Sequence, residues 1–106
     1  MNPITTPEGI IRNPLYLEVS IKLITLTHSL RNGKDVPPQD AWATTRQISD
    51  ALDISIYKAR LILLDLVKLD LVLVSDRQLR NSLRWYPHAS AHNLLHDFAV
   101  KASEYM

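Results

Sequence analysis

The sequence predicts a mainly α-helical domain with one small β-hairpin, and three observations carry that expectation. Glycine is scarce, only Gly9 and Gly33, which argues against an all-β fold with many tight turns. Four stretches place apolar residues at helical spacing, each behind a residue suited to capping. Two short β-prone runs, Leu71–Val74 and Leu83–Tyr86, flank a polar octapeptide and read as the arms of a hairpin.

Size and composition fit one globular domain. The chain has 106 residues, 46% hydrophobic and 22% charged, which suits a single core and disfavours a disordered chain. A domain this long buries roughly 60–70% of the surface of its unfolded chain. There is no cysteine, so no disulfide, which favours a reducing compartment. The opening residues lack a basic region followed by an apolar run. No apolar stretch approaches the roughly 20 residues of a membrane span. The expectation is a cytoplasmic protein without a membrane partner.

In chain order, residues 1–13 read as a flexible N-terminal arm containing Pro3 and Pro7. Asn13-Pro14 is a helix start, with Asn as N-cap and Pro in the first turn. Leu15, Val19, Leu23, Leu26 and Leu30 form its stripe. Ile21 and Ile24 widen that stripe, predicting burial on more than one side. Arg31-Asn32-Gly33 is the expected stop. Residues 33–40, with Pro37-Pro38, form a loop. Thr44 and Gln47 have the spacing of a capping box, followed by Ile48, Ala51 and Leu52 on one face. Asp53-Ile54-Ser55 is a short turn, and Ser55 caps a third helix over about 56–69. Ala59, Leu63, Leu66 and Val67 are its inward stripe. After the hairpin, closed by Pro87, Ser90 caps a last helix over about 91–105.

The functional expectation lies in residues 44–86. Two helices joined by a three-residue turn make a helix-turn-helix, whose second helix can enter a major groove. A hairpin directly after it is the wing of a winged helix-turn-helix, here with an extra C-terminal helix. The domain is then 14–87, and 88–106 serves packing or dimerisation. The formal net charge is only +1, but 44–86 carries seven basic and five acidic residues, while 1–43 is balanced. The early turns of the third helix bring Ser55, Tyr57, Lys58 and Arg60 with no acid among them. A recognition helix approaches the bases with that end. Arg60 can reach a guanine edge or a phosphate, and Tyr57 a phosphate or a thymine methyl. Thr45 and Arg46 suit backbone contacts, and Arg77, Arg80 and Arg84 suit phosphates beside the wing.

The run from Thr44 to Leu64 resembles the core of the PapI/FaeA family of fimbrial-operon regulators. In that family a T-x-x-I-A-x-A-L helix precedes a Y-x-A-R-x-x-L-x-x-L helix. The counterparts are Thr45, Ile48, Ser49, Ala51 and Leu52, then Tyr57, Ala59, Arg60, Leu63 and Leu66. Ser49 stands where the family usually has Ala, and Asp70 where winged helices usually have Gly. The opening 13–17, Asn-Pro-Leu-Tyr-Leu, is similar to the start of the CaiF/GrlA-type activators. Both resemblances imply a bacterial transcriptional regulator, and the first implies a small winged helix.

Other groups compete with this reading. His88, His92 and His96 recur every four residues beside Asp97, a spacing that can hold zinc; a solvated helix face is the simpler reading, and no metal or cofactor is expected. His28 reads as a packed or rim histidine. There is no phosphate-binding glycine loop, cysteine nucleophile or glycine-flanked serine, so no enzyme is expected. Trp85 and Tyr86 can stack on bases of a single strand, but core packing fits a hairpin end better, and Trp42 packs before the second helix. The face of the last helix, Leu94, Leu95, Phe98, Ala102 and Tyr105, either folds back or pairs with a twin, making a homodimer. Leu61 and Leu64 fall toward the outer face of the third helix and suit contact with another protein. The leading expectation is a non-catalytic regulator binding double-stranded DNA, acting alone or with a second regulator. The alternatives are an adaptor binding another regulator or subunit, and a plasmid or phage replication or maintenance protein.

Overall fold

A computed structural model of the chain describes residues 12–30 and 35–91. The elements are α1 (Pro14–Thr27), a 3₁₀ turn at His28–Leu30, a second at Gln39–Ala41, β1 (Ala43–Thr44), α2 (Thr45–Leu52), α3 (Ile56–Lys68), β2 (Val72–Val74) and β3 (Arg84–Pro87). The domain is helix-rich, with one three-stranded antiparallel sheet in the order β1-β3-β2. The predicted stop at 31–33, the segment 1–11, and the last helix beyond residue 91 lie outside the described residues.

The capping chemistry holds. The Asn13 side chain accepts from the Leu15 and Tyr16 amides, with Pro14 in the first turn of α1. Thr44 and Gln47 bond reciprocally, at 3.1 and 2.8 Å, as a complete capping box on α2. Ser55 Oγ accepts from the Lys58 amide to open α3. Asp53 ends α2 with φ 53°. Asp70 takes φ 58° just past α3, where the Leu71 amide donates to the Leu66 carbonyl and the Asp70 amide to the Val67 carbonyl. That is the position a glycine would fill most easily.

The inward faces depart from simple apolar stripes. α1 buries Val19, Ser20, Leu23 and Thr27, while Ile21 is 46% and Leu26 37% exposed. The hydroxyls of Ser20 and Thr27 donate to the carbonyls of Tyr16 and Leu23. Thus satisfied, they enter the core without an unpaired polar group, and the buried face turns away from Ile21 and Leu26. In α2, Ile48 is buried and Leu52 half-buried, but Ala51 faces solvent. In α3 the core residues are Ala59, Ile62, Leu63 and Leu66, with Val67 half-buried. Ile62 therefore joins the stripe expected from Ala59, Leu63 and Leu66.

β1 was not foreseen. It has two residues, and tertiary pairing alone makes it a strand: Ala43 lies opposite Trp85 and Thr44 opposite Arg84. β3 begins at Arg84 rather than Leu83 and includes Pro87, which faces Val72. Bonds from the Ser75 amide to Arg84 and from the His88 amide to Leu71 set the ladder. Alternation then leaves Pro87 at a non-hydrogen-bonded position, where its missing N–H costs nothing. The last helix opens at residue 89. His88, not Ser90, does the capping: its Nδ1 accepts from the Ser90 amide, and Ser90 Oγ donates to the Asp70 carbonyl.

Trp85 is fully buried at the centre of the core, with Val19, Leu23 and Ile48 in the same cluster. Trp42 stacks on Tyr86 at 5.6 Å between centroids, and its indole donates to the Pro37 carbonyl. All three aromatics pack as expected. No helix among the described residues is long and apolar enough to cross a membrane.

Candidate nucleic-acid interface

α2 and α3 are joined by Asp53-Ile54-Ser55, and the Ile54 amide donates to the Ser49 carbonyl to fix the turn. Ser49 is buried, and its hydroxyl returns to the Arg46 carbonyl. A hydroxyl thus fits where the resembled family has a methyl. α3 leaves Ile56, Tyr57, Lys58, Arg60 and Leu61 exposed along its first half. Tyr57 is the extreme at 73%, and Leu61 is 45% exposed.

The segment between β2 and β3 is tied at its base and tight at its tip. Ser75 is buried; its hydroxyl donates to the Arg77 carbonyl and accepts from the Arg84 amide. Gln39 and Asp76 bond twice, side chain to side chain at 3.1 Å and Asp76 amide to Gln39 Oε1 at 3.0 Å. At the tip, Leu79 and Ser82 exchange backbone bonds at 2.8 and 3.2 Å around Arg80-Asn81. Both central residues have positive φ, 55° and 65°, as a type I′ turn requires. Asparagine accepts that backbone readily, but an arginine held there costs roughly 1–2 kcal/mol.

Between this tip, the start of α2 and the start of α3 lies a cleft of about 380 Å³. Arg46 enters it from α2, Arg60 from α3, and Arg80 and Arg84 from the hairpin. Ile56, Gln78 and Asn81 line it too, and no carboxylate does. The one ion pair among the described residues joins Lys68 to Asp65 at 4.0 Å. None of the cleft arginines forms an ion pair among those residues, and Asp40 lines an adjoining depression with Arg80 and Arg84. Four guanidiniums from three elements make a concave, positive surface suited to a polyanion.

Not every expected residue presents a free side chain to this surface. Thr45 is buried, and its Oγ1 accepts from the Trp85 indole at 2.9 Å. It lines the cleft, with its hydroxyl engaged by the buried indole. Arg84 is half-buried, and its Nη1 donates to the carbonyls of Asp40 and Trp42 at 3.3 Å. It is an anchored wall of the cleft rather than a free phosphate contact. Arg77 is exposed, but it lies with Asp40 and Asp76 in a separate depression. Arg77 does not line the cleft that Arg80 enters. Ser55 acts as a cap, while Lys58 is exposed on α3. Leu64 is half-buried and packs against the core, so the outward reading holds for Leu61 and fails for Leu64. Gln78 and Asn81 were missed; their only signal was their place in the polar connection.

A further tie positions α3. The Tyr16 hydroxyl donates to Asp65 Oδ2 at 2.5 Å, joining α1 to α3. Burial, then that bond and the carboxylate charge, push the Tyr16 hydroxyl up to about 12. No group of three metal-ligating side chains occurs among the described residues; His92 and His96 lie outside them, and His88 is engaged with Ser90. No family model, no curated protein and no solved structure matches this chain.

Proposed function

We propose that the protein is a non-catalytic, bacterial transcriptional regulator that binds duplex DNA through a winged helix-turn-helix. In this reading α2 and α3 are the helix-turn-helix, the β2–β3 hairpin is the wing, and α3 enters the major groove. The observation that carries it is the acid-free cleft where Arg46, Arg60, Arg80 and Arg84 converge beside the exposed first half of α3. The element order and the β1-β3-β2 sheet support it. So does the strained backbone at Arg80, since strain persists where a function uses it. The resemblance to the PapI/FaeA regulators points the same way. A homodimer through the C-terminal helix would double a footprint of few charges.

Three free arginines, Arg46, Arg60 and Arg80, set the expected strength of the electrostatic part. Each phosphate neutralised contributes about −0.9 to the slope of log affinity against log salt. Three give a loss of roughly 40-fold between about 50 and 200 mM salt. Mobility shift of a labelled duplex at those two salts tests the proposal. A steep loss supports it, and absence of binding at low salt rejects it. The adaptor reading keeps one observation of its own, the exposed Tyr57 and Leu61, and predicts a protein contact with no salt-dependent DNA binding.

A further inference from the structure

The proposed DNA-binding role leaves open what α3 reads, and its exposed side chains restrict the answer. With about 100° between successive residues, Arg60 and Tyr57 lie about 60° apart around the helix. Tyr57 and Leu61, one turn apart, lie within about 40° of each other. Arg60 and Ile56 line the cleft, so the apolar strip is continuous with the positive surface. Lys58 falls about 160° from Arg60, on the far flank. α3 contains no Asn or Gln, and its single acid, Asp65, accepts from Tyr16.

Each base pair shows the major groove a different set of groups. A bidentate Asn or Gln reads adenine, an acid accepts from cytosine, an arginine bonds guanine, and an apolar side chain meets the thymine methyl. The first two readers are missing from the exposed part of α3, and the last two are present side by side.

We infer that α3 reads guanine and thymine: Arg60 takes the guanine edge, and Tyr57 with Leu61 covers thymine methyl groups. The inference rests on the DNA-binding reading above. It gives the apolar strip an occupant that the neighbouring arginines would bring to it. A second protein chain is the competing occupant, and it would gain from the cleft's charge only by bringing carboxylates of its own.

The test uses the full chain and duplexes selected by it from a random pool. In the tightest duplex each thymine is replaced in turn by deoxyuridine, which lacks only the methyl. Affinity falls roughly four-fold for each contacted methyl removed. That penalty disappears in Leu61→Ala or Tyr57→Ala, whose exposed sites leave the thermal melt unchanged. Replacing the adjacent guanine by 7-deazaguanine weakens the wild type and not Arg60→Ala. Tight selected duplexes with no deoxyuridine effect at any position overturn this inference while DNA binding stands. Leu61→Ala that spares DNA affinity but changes the sedimentation coefficient assigns the strip to a protein contact and also overturns it. Failure to select any duplex rejects the DNA-binding reading itself, and the inference with it.

Discussion

α3 turns Ala59, Ile62, Leu63 and Leu66 into the core and Tyr57, Lys58, Arg60 and Leu61 to solvent. The inner four share one requirement, apolar volume that fits against Val19, Leu23 and Trp85. The outer four share no volume requirement, and the fold would form with most residues in their places. Among them an arginine without a carboxylate partner and two large apolar side chains stand in water. The inner face therefore explains why the helix exists, and the outer face is the one left to serve the proposed binding. Changes to one should move the melt, and changes to the other should move only binding.

The largest effect belongs to the inner face. Leu63→Ala removes a fully buried side chain and should cost about 2–5 kcal/mol of stability. Urea unfolding measures it; a loss below about 1 kcal/mol would mean that the packing of α3 is looser than described. On the outer face, Arg60→Ala should leave the melt in place and cost about 1–3 kcal/mol of binding to a selected duplex. Equal affinity for wild type and variant would remove Arg60 from the site.

Arg80 sits where the comparison is sharpest, because its backbone and side chain pull in opposite directions. Arg80→Gly relieves a positive φ of 55° and should raise stability by roughly 1 kcal/mol. The same change should lower DNA affinity and reduce the salt slope by about 0.9. A variant that gained stability and kept its slope would show that the tip touches no phosphate.

The smallest effect concerns the tie between α1 and α3. Tyr16→Phe removes the hydrogen bond to Asp65 and should cost about 0.5–1.5 kcal/mol near neutral pH. The Tyr16 hydroxyl, ordinarily near 10, is raised to about 12 in the fold. Its protonated form is therefore the one that stabilises. That contribution is complete below about pH 10 and disappears as the pH climbs to about 12. Stability followed by denaturant across that window should converge for wild type and Tyr16→Phe. A constant difference would mean that the bond is not linked to the titration.

What could be read from the sequence depended on how local its cause was. Asn13, Thr44 with Gln47, and Ser55 act within one turn, and each caps where expected. β1 has no local cause; Ala43 and Thr44 are a strand because β3 passes beside them. Ser20, Thr27 and Thr45 look like surface residues until their partners Tyr16, Leu23 and Trp85 are known. At the site, the excess of basic over acidic residues in 44–86, seven against five, was visible in composition. The sorting of the arginines was not. Arg80 enters the cleft, Arg77 lies beside Asp40 and Asp76, and Arg84 is held by the carbonyls of Asp40 and Trp42. Each outcome depends on the hairpin register and on a loop more than thirty residues away in sequence.

In the proposed function one face of the molecule, made by the start of α3, the start of α2 and the hairpin tip, meets DNA. Titration of the isotope-labelled full chain with a short duplex, followed by amide chemical shifts, tests it residue by residue. Shifts should concentrate at Arg46, Ile56, Tyr57, Arg60, Arg80 and Asn81, with Glu18, Ile21 and Thr25 of α1 unchanged. Shifts centred on α1, or none at saturating duplex, would contradict it.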